Sequence, residues 1–371
     1  MFVRQLSILP ALLLAWPASA AADPLVRVRV AEQVRSVALS GQGLRIQDQP
    51  IADARVRAMA AAGEIRVAHL TSRAPVRVQA RHGLALDGRK FPGELSLVPR
   101  ADATLDVLNL VPLEPYVERA VAGEIYASWP EEALKAQAVV TRTYVLYECE
   151  RRRGEAFDVE ASVISQRYAA KSAPEAVRQA AASTRGEFLA YRGQPILAAY
   201  HASSGGRTAS SSEVWGDSLP YLRSLSSPDA GAPDHFWSFE IPLADLRVAL
   251  GQVGLSSGGG HEVRVLGRSE SGRVTELGVG DARLSGRELR KALGGRAIRS
   301  ALFEVRTLDR RVRFLGSGAG HGVGLSQWGA LELARRGKSY REILAHYYPG
   351  TTRRRLDGVA AADATRLSAL P

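Results

Sequence analysis

From Leu25 to about Val111 apolar and polar residues alternate, as in "LVRVRV", "GLRIQD", "EIRVAHL" and "LALDGRKFPGELSLV". Period-two alternation marks strands with one buried face, and "LDGRK" supplies a hairpin turn. After residue 100 helices enter. Ser128 with Glu131 reads as a capping box, Pro130 falls in the first turn, and a helix is expected through "EALKAQAVVTRTYVLYECERRR" to Gly154. The same signature recurs at Ser172/Glu175, Ser285/Glu288 and Ser339/Glu342, each time ahead of an amphipathic segment. Strands lie between these helices: "EFLAY" and "PILAAYHA" joined by "RGQ", then "HEVRVLGR", "RVTELGVG" and "RVRFLGSG". Strands mixed irregularly with helices predict an α+β fold, with mostly antiparallel strands and a β-rich N-terminal region. The boundaries read as 1–22 for an export signal, 23–100 for the β-rich region, 101–356 for a second domain and 357–371 for a disordered tail.

Composition adds compartment and partner class. With 46% hydrophobic and 23% charged residues over 371 positions, the chain has an ordinary globular make-up. Arg4, the apolar "LSILPALLLAW" and "ASA" before Ala21 have the layout of a cleaved signal peptide, which predicts a secreted, periplasmic or wall-associated protein. No later segment approaches the roughly 20 apolar residues of a membrane helix. A single cysteine, Cys149, has no partner for an internal disulfide. The net charge of +11 would suit a polyanion, yet the arginines are spread through strands such as "RVRV" and "RVRF", without a dense cluster or interleaved aromatics. That distribution reads as a solvated basic surface and not as a nucleic-acid interface.

Three stretches carry candidate chemistry. In "GEIYASWPEEALKAQAVVTRTY", Glu124 sits at a junction between a short helical segment and the long helix, among apolar neighbours that favour a protonated carboxyl. A capping role, or pairing with Lys135 or Arg142, is the alternative. In "AAYHASSGGRTASSSEVWGDSLPYL", a strand ends at Tyr200 and His201 and runs into Ser203, Ser204, Gly205 and Gly206, a polar turn of the kind that displays binding groups. In "GSGAGHGVGLSQWGALELARRG", glycines surround His321 and a helix begins near Ser326 and Gln327. The glycine spacing fits neither a dinucleotide fingerprint nor a P-loop, and no His or Cys stands at metal-ligand spacing.

Together the three stretches resemble the SpoIID/LytB family, the stage II sporulation protein D and amidase-enhancer group that acts on bacterial peptidoglycan. The resembling segments are "YVERAVAGEIYASWPEEALKAQAVVTRTY", "YHASSGG" with "VWGDSLPYL", and "GHGVGLSQWGA", in that order across about 105–350. The resemblance implies that 101–356 is a catalytic domain with a glycan-binding cleft. Glu124 would then be the single acid/base of a lytic transglycosylase acting on strands without stem peptides. It further implies that Tyr200, His201, Ser203, Ser204, Gly205, Gly206, His321, Ser326 and Gln327 line the cleft. Lys135, Gln137, Arg142 and Tyr144 would face or brace it, although helical geometry sets 135 and 142 on one face and 137 and 144 on an adjoining one. No cofactor is implied. Where family members carry metal-binding Cys and His ahead of "VISQRYAAKS", this chain has Ser162 and Ser165, so no zinc is expected. The alternative within the family is a non-catalytic enhancer that binds wall glycan and promotes a cell-wall amidase. A serine hydrolase using Ser203 or Ser204 with His201 is disfavoured by the lack of an identifiable orienting carboxylate.

Overall fold

The computed structural model describes residues 24–161, 168, 172–255, 259–260 and 262–356. The expected signal at 1–22, the tail at 357–371, and Ser162 and Ser165 lie outside the described residues. The architecture is α+β, with antiparallel sheets and eight helices among the described residues. The helices are α1 (Leu113–Glu124), α2 (Glu131–Arg151), α3 (Glu175–Ser183), α4 (Ser211–Trp215), α5 (Leu243–Gln252), α6 (Gly286–Leu293), α7 (Gln327–Arg335) and α8 (Tyr340–Tyr347).

The N-terminal alternation becomes two sheets. Strand Leu25–Val34 turns Val26 and Val28 inward, and Arg29 on its other face meets Glu160 across a parallel pairing. It also pairs antiparallel with Leu105–Pro112, which is buried along most of its length and leads directly into α1. The second sheet runs through strands 89–90, 82–86, 36–42, 55–61, 64–67 and 70–72. Inward residues of the two sheets, Leu95 and Val107 from the first and Leu39 and Ile65 from the second, share one core with the inner faces of α1 and α2.

The long helix α2 is buried nearly all round, as a helix between two cores must be. Leu134, Ala138, Val145 and Leu146 face the first core, whereas Ala136, Val139 and Val140 face a second one built with α8, Leu189, Val323 and Leu325. A third core belongs to a separate lobe spanning about 235–316, in which Trp237, Leu246, Leu277, Leu289, Phe303 and Phe314 pack between two three-stranded sheets and helices α5 and α6.

Two local expectations need correction. Helices α2 and α3 begin at Glu131 and Glu175 with Pro130 and Pro174 at the N-cap, and neither has a side-chain cap. The residue before a proline is disfavoured in the α region, so Trp129 and Ala173 cannot be helical, and the helix starts too late for Ser128 or Ser172 to cap it. The boxes at Ser285/Glu288 and Ser339/Glu342, which contain no proline, form fully. An unexpected third box, Ser210/Glu213, opens α4. The segment after "RGQ" also departs from expectation. Strand Glu187–Tyr191 pairs with Gln194–Pro195, but 196–199 leave the sheet and only Tyr200–His201 forms a strand, parallel to Leu325–Ser326.

Candidate functional site

Helix α1 forms because Leu113, Tyr116, Val117, Ala120 and Val121 recur at helical spacing and are all buried. It ends where Ile125 turns extended, its N–H still bonded to the Val121 carbonyl. Glu124 is therefore the last helical residue, and it is half-buried. Tyr116, fully buried and stacked on Tyr168 at 5.4 Å, marks its surroundings. Burial pushes the Tyr116 phenol well up, and Tyr144, Tyr168, Cys149 and Glu124 add to the shift. Tyr144 thus stands on the Glu124 side, against the first core.

The pairings held open for Glu124 are taken by other carboxylates. Lys135 Nζ lies 2.7 Å from Glu131 and 3.1 Å from Glu132. Arg142, with no exposed side-chain surface, donates to both oxygens of Glu114 at 2.8 and 2.7 Å and to the carbonyls of Glu187 and Ala181. Lys135 lies over the Tyr340 ring of α8, whereas Arg142 ties α2 to α1, α3 and strand Glu187–Tyr191. They brace the helix and are not presented at the motif cluster.

That cluster forms on the other side of α2. Gln327 Nε2 donates to Gln137 Oε1 at 3.4 Å, which ties the first stretch to the third. The junction between α1 and α2 adds Trp129, whose ring meets Trp328 edge-on at 5.3 Å and Tyr126 at 6.0 Å. Trp328 in turn donates its backbone N–H to the Ala202 carbonyl, beside His201. His201 and His321 are T-shaped at 5.5 Å, and Trp215 covers His321 at 5.4 Å. An aromatic row consequently runs Tyr126, Trp129, Trp328, then His201, His321 and Trp215, with Tyr126 and Trp215 among the exposed large side chains.

Tight backbone contact explains the glycines of the third stretch. A Cβ at Gly324, where φ is +72°, would stand 2.0 Å from the Ala199 carbonyl oxygen, and one at Gly320 would stand 2.7 Å from the His201 Cβ. Only glycine lets this loop lie flat against residues 199–205 while adopting positive φ. His321 Nδ1 accepts the Val323 N–H at 3.0 Å, and His201 Nδ1 donates to the Val323 carbonyl at 3.1 Å. Burial pushes His321 down to about 4 and His201 well below the usual imidazole range, so both rings are neutral at neutral pH.

The serines have a different role from the one the resemblance implies. Ser203 Oγ, Ser204 Oγ and Ser326 Oγ all donate to Asp229 Oδ2, at 3.1, 2.7 and 2.9 Å, and the Ser204 N–H joins them. Gly206 N–H donates to Asp229 Oδ1 at 2.8 Å. Asp229 is buried; burial alone would raise its proton affinity, but these donors overcome it and hold the carboxyl below the usual range. Ser203, Ser204 and Ser326 are fully covered, so their hydroxyls anchor the loop and do not line an open cleft. Ser326 also caps α7 through the Gly329 N–H, which orients Gln327. Ser203 and Ser204 commit their hydroxyls to Asp229 and His201 Nδ1 is committed to the Val323 carbonyl, which disfavours the serine-hydrolase arrangement even though a carboxylate is present. Asp229 carries no motif around it in "SSPDAG" and was not legible in the sequence. The aromatic row had a signal: three of the five tryptophans, Trp129, Trp215 and Trp328, fall inside the three stretches. Among the described residues no group of three or more His, Cys, Asp or Glu could hold a metal.

The fold and cluster define an α+β protein whose motif loops meet at a glycine-lined, aromatic-edged polar site. Residues 101–191 match the SpoIID family (Stage II sporulation protein), and residues 235–324 match a domain of unknown function. The chain is 32% identical to the Stage II sporulation protein D of Bacillus subtilis, over 65% of this chain and 74% of that protein. It is also 32% identical to an uncharacterized protein of Brachyspira hyodysenteriae, over 73% of this chain and 74% of the other. The chain belongs to the SpoIID family. It is 27% identical to the Amidase enhancer of Bacillus subtilis over 75% of its length, but it covers only 46% of that larger protein.

Proposed function

We propose that the chain is an exported, peptidoglycan-directed lytic transglycosylase that uses Glu124 as its single acid/base. The observation that carries this reading is the disposition of carboxylates around the motif cluster. Hydrolytic glycosidases pair an acid with a second carboxylate that activates water or attacks the sugar. Here the carboxylate built into the cluster, Asp229, is buried and accepts from three hydroxyls and two amides, so it is committed to holding the loop. Glu124, at the end of α1, faces the negative end of the helix dipole, which opposes a second negative charge there.

In the proposed reaction the Glu124 carboxyl donates its proton to the glycosidic oxygen as the bond from the anomeric carbon breaks. The carboxylate then takes the proton of the sugar's own 6-hydroxyl while that oxygen bonds to the anomeric carbon. The acid is regenerated, a 1,6-anhydro end forms and no water is consumed. Neutral His321, backed by the buried neutral ring of His201, offers a hydrogen bond without placing a cation beside the leaving group. The aromatic row provides faces for sugar rings. Gln137, Gln327, Tyr144 and Tyr200 are the polar groups assigned to the cleft and its support.

The similarity to a protein named Amidase enhancer favours a second reading, in which the same site binds wall glycan and promotes an amidase without cutting. No helix among the described residues is long and apolar enough to cross a membrane. Digestion of purified denuded glycan strands by the wild type and by Glu124→Gln, with mass spectrometry of the ends, decides between the readings. Anhydro ends that fall by about 10²–10⁴ in rate in the variant are expected for a general acid. Reducing ends would mean hydrolysis, and retained binding without cleavage would mean an enhancer.

A further inference from the structure

The lobe at 235–316, within the segment matched only as a domain of unknown function, meets the glycine loop through Trp237, Arg299 and Leu302 and reaches the Ser203–Arg207 loop from a hairpin tip. Strands Val263–Arg268 and Val274–Val279 are joined by "SESGR", closed by the Ser269 N–H on the Arg273 carbonyl at 2.8 Å. From this tip Arg273 enters the interior and is only 4% exposed. Its Nη2 donates to the Ser204 carbonyl at 3.0 Å, and its Nη1 donates to the Arg207 carbonyl at 3.2 Å and the Ser271 hydroxyl at 3.0 Å. Ser271 is fixed in turn by Glu213 at the start of α4, which accepts both its N–H and its hydroxyl.

The loop from Ser203 to Arg207 is thus held from two sides. Its N–H and hydroxyl donors go to Asp229, and two of its carbonyls go to Arg273. The guanidinium also lies under the glycine loop, since a Cβ at Gly322 would stand 2.1 Å from its Nη2. A planar fork suits this place and a lysine does not, because two carbonyls and a hydroxyl must be met in one fixed geometry.

We propose that this lobe completes the glycan site, with Arg273 as the positioning residue that holds the Ser203–Arg207 loop and the floor beneath His321 in their binding form. The inference rests on the glycan-binding reading for its functional consequence, while the structural claim stands on the geometry of the loop. Arg273 touches no sugar; it acts through the loop and through His321.

The test compares wild type with Arg273→Gln, Arg273→Lys and, as a control on the same lobe, Arg283→Gln, whose exposed guanidinium pairs with Glu276 at 2.7 Å. Three quantities are read: retention of denuded glycan strands, hydrogen-exchange protection of the Gly206 amide, and titration of His321 followed by the imidazole proton resonances. The groups bearing on His321 are the Tyr200 backbone, Arg290 and Arg273, with the His201 ring facing it and the Trp215 ring covering it. Arg273→Gln is expected to weaken retention about tenfold or more, to lower Gly206 protection and, by removing a nearby positive charge, to raise the His321 titration. Arg273→Lys is expected to restore most of the titration shift but not the retention, because charge returns without the fork. The control should match wild type. Retention and Gly206 protection unchanged in Arg273→Gln would overturn the proposal; if that variant fails to fold, undiminished retention in Arg273→Lys would do so. If wild type retains no glycan, the functional reading fails by itself, and Gly206 protection still decides whether Arg273 holds the loop.

Discussion

Replacing Asp229 by asparagine should damage the cluster through hydrogen bonding alone, since the side chain keeps its shape. One oxygen of Asp229 accepts three hydroxyls and an amide, and the other accepts the Gly206 N–H at 2.8 Å. In Asp229→Asn the carbonyl can take only one of these positions. If it keeps the serines, the new NH₂ opposes the Gly206 N–H; if it flips, it opposes three hydroxyls. The smaller loss is one buried donor left unpaired, about 1–3 kcal/mol, plus the weakening of three hydroxyl bonds that lose their charged acceptor. A destabilisation of about 2–4 kcal/mol follows. The assay is urea denaturation followed by tryptophan fluorescence, run against pH. Because the carboxyl sits below its ordinary range in the folded state, its contribution is complete above the unfolded value near 4 and is lost as pH falls through the lower folded value. The wild type should therefore show an acid limb that the asparagine variant lacks. A midpoint within about 0.5 kcal/mol of wild type, the range of an ordinary surface change, would refute the hub.

Three further outcomes follow from the same geometry. Arg142→Met should lower stability by about 3–5 kcal/mol, because it leaves the Glu114 carboxylate buried without its partner; the denaturation midpoint reads this, and little change would mean the pair is not structural. Trp328→Ala should remove an aromatic pair worth about 0.5–1.5 kcal/mol and weaken retention of glycan strands by up to about tenfold, measured in a pull-down, while Val248→Ala, exposed on α5 away from the motif loops, should not. His321, held down to about 4 by burial, makes the unfolded chain bind its proton first, so stability should fall as pH drops from about 6.5 to 4, and His321→Asn should flatten that slope in thermal melts across the window.

Much of the scaffold was legible because the responsible physics is local. Alternation along "LVRVRV" and "EIRVAHL" gave strands because each needs one buried face, and Ser285 and Ser339 gave true helix starts because the three residues after each contain no proline. Pro130 and Pro174 defeated the two other boxes by a steric rule that propensity alone does not weigh. The site was half legible. Glycines around His321 announced close backbone approach, and the structure shows what approaches, namely residues 199–205. Lys135 and Arg142 looked available because sequence does not show that Glu131, Glu132, Glu114 and the Glu187 carbonyl already hold them. Asp229 was invisible for the same reason: its meaning lies in Ser203, Ser204, Gly206 and Ser326, which the fold alone brings to it.

The arrangement also bears on how one acid could suffice. A site that positions a flexible polymer usually needs polar groups in fixed places, and fixing them takes charge or hydrogen bonds that would otherwise serve the ligand. Here the fixing charges are kept out of the way. Asp229 and Arg273 are both buried and are bound mainly by backbone and hydroxyl groups of the Ser203–Arg207 loop, with Ser326 and Ser271 added, so neither charge is presented beside Trp129, Trp215 and Trp328. Because those two charges act on the loop, an acid at Glu124, as proposed above, would change protonation without the buried Asp229 answering it. Moving Asp229's charge into solvent reach would break that separation, by placing a second anion where water could be activated.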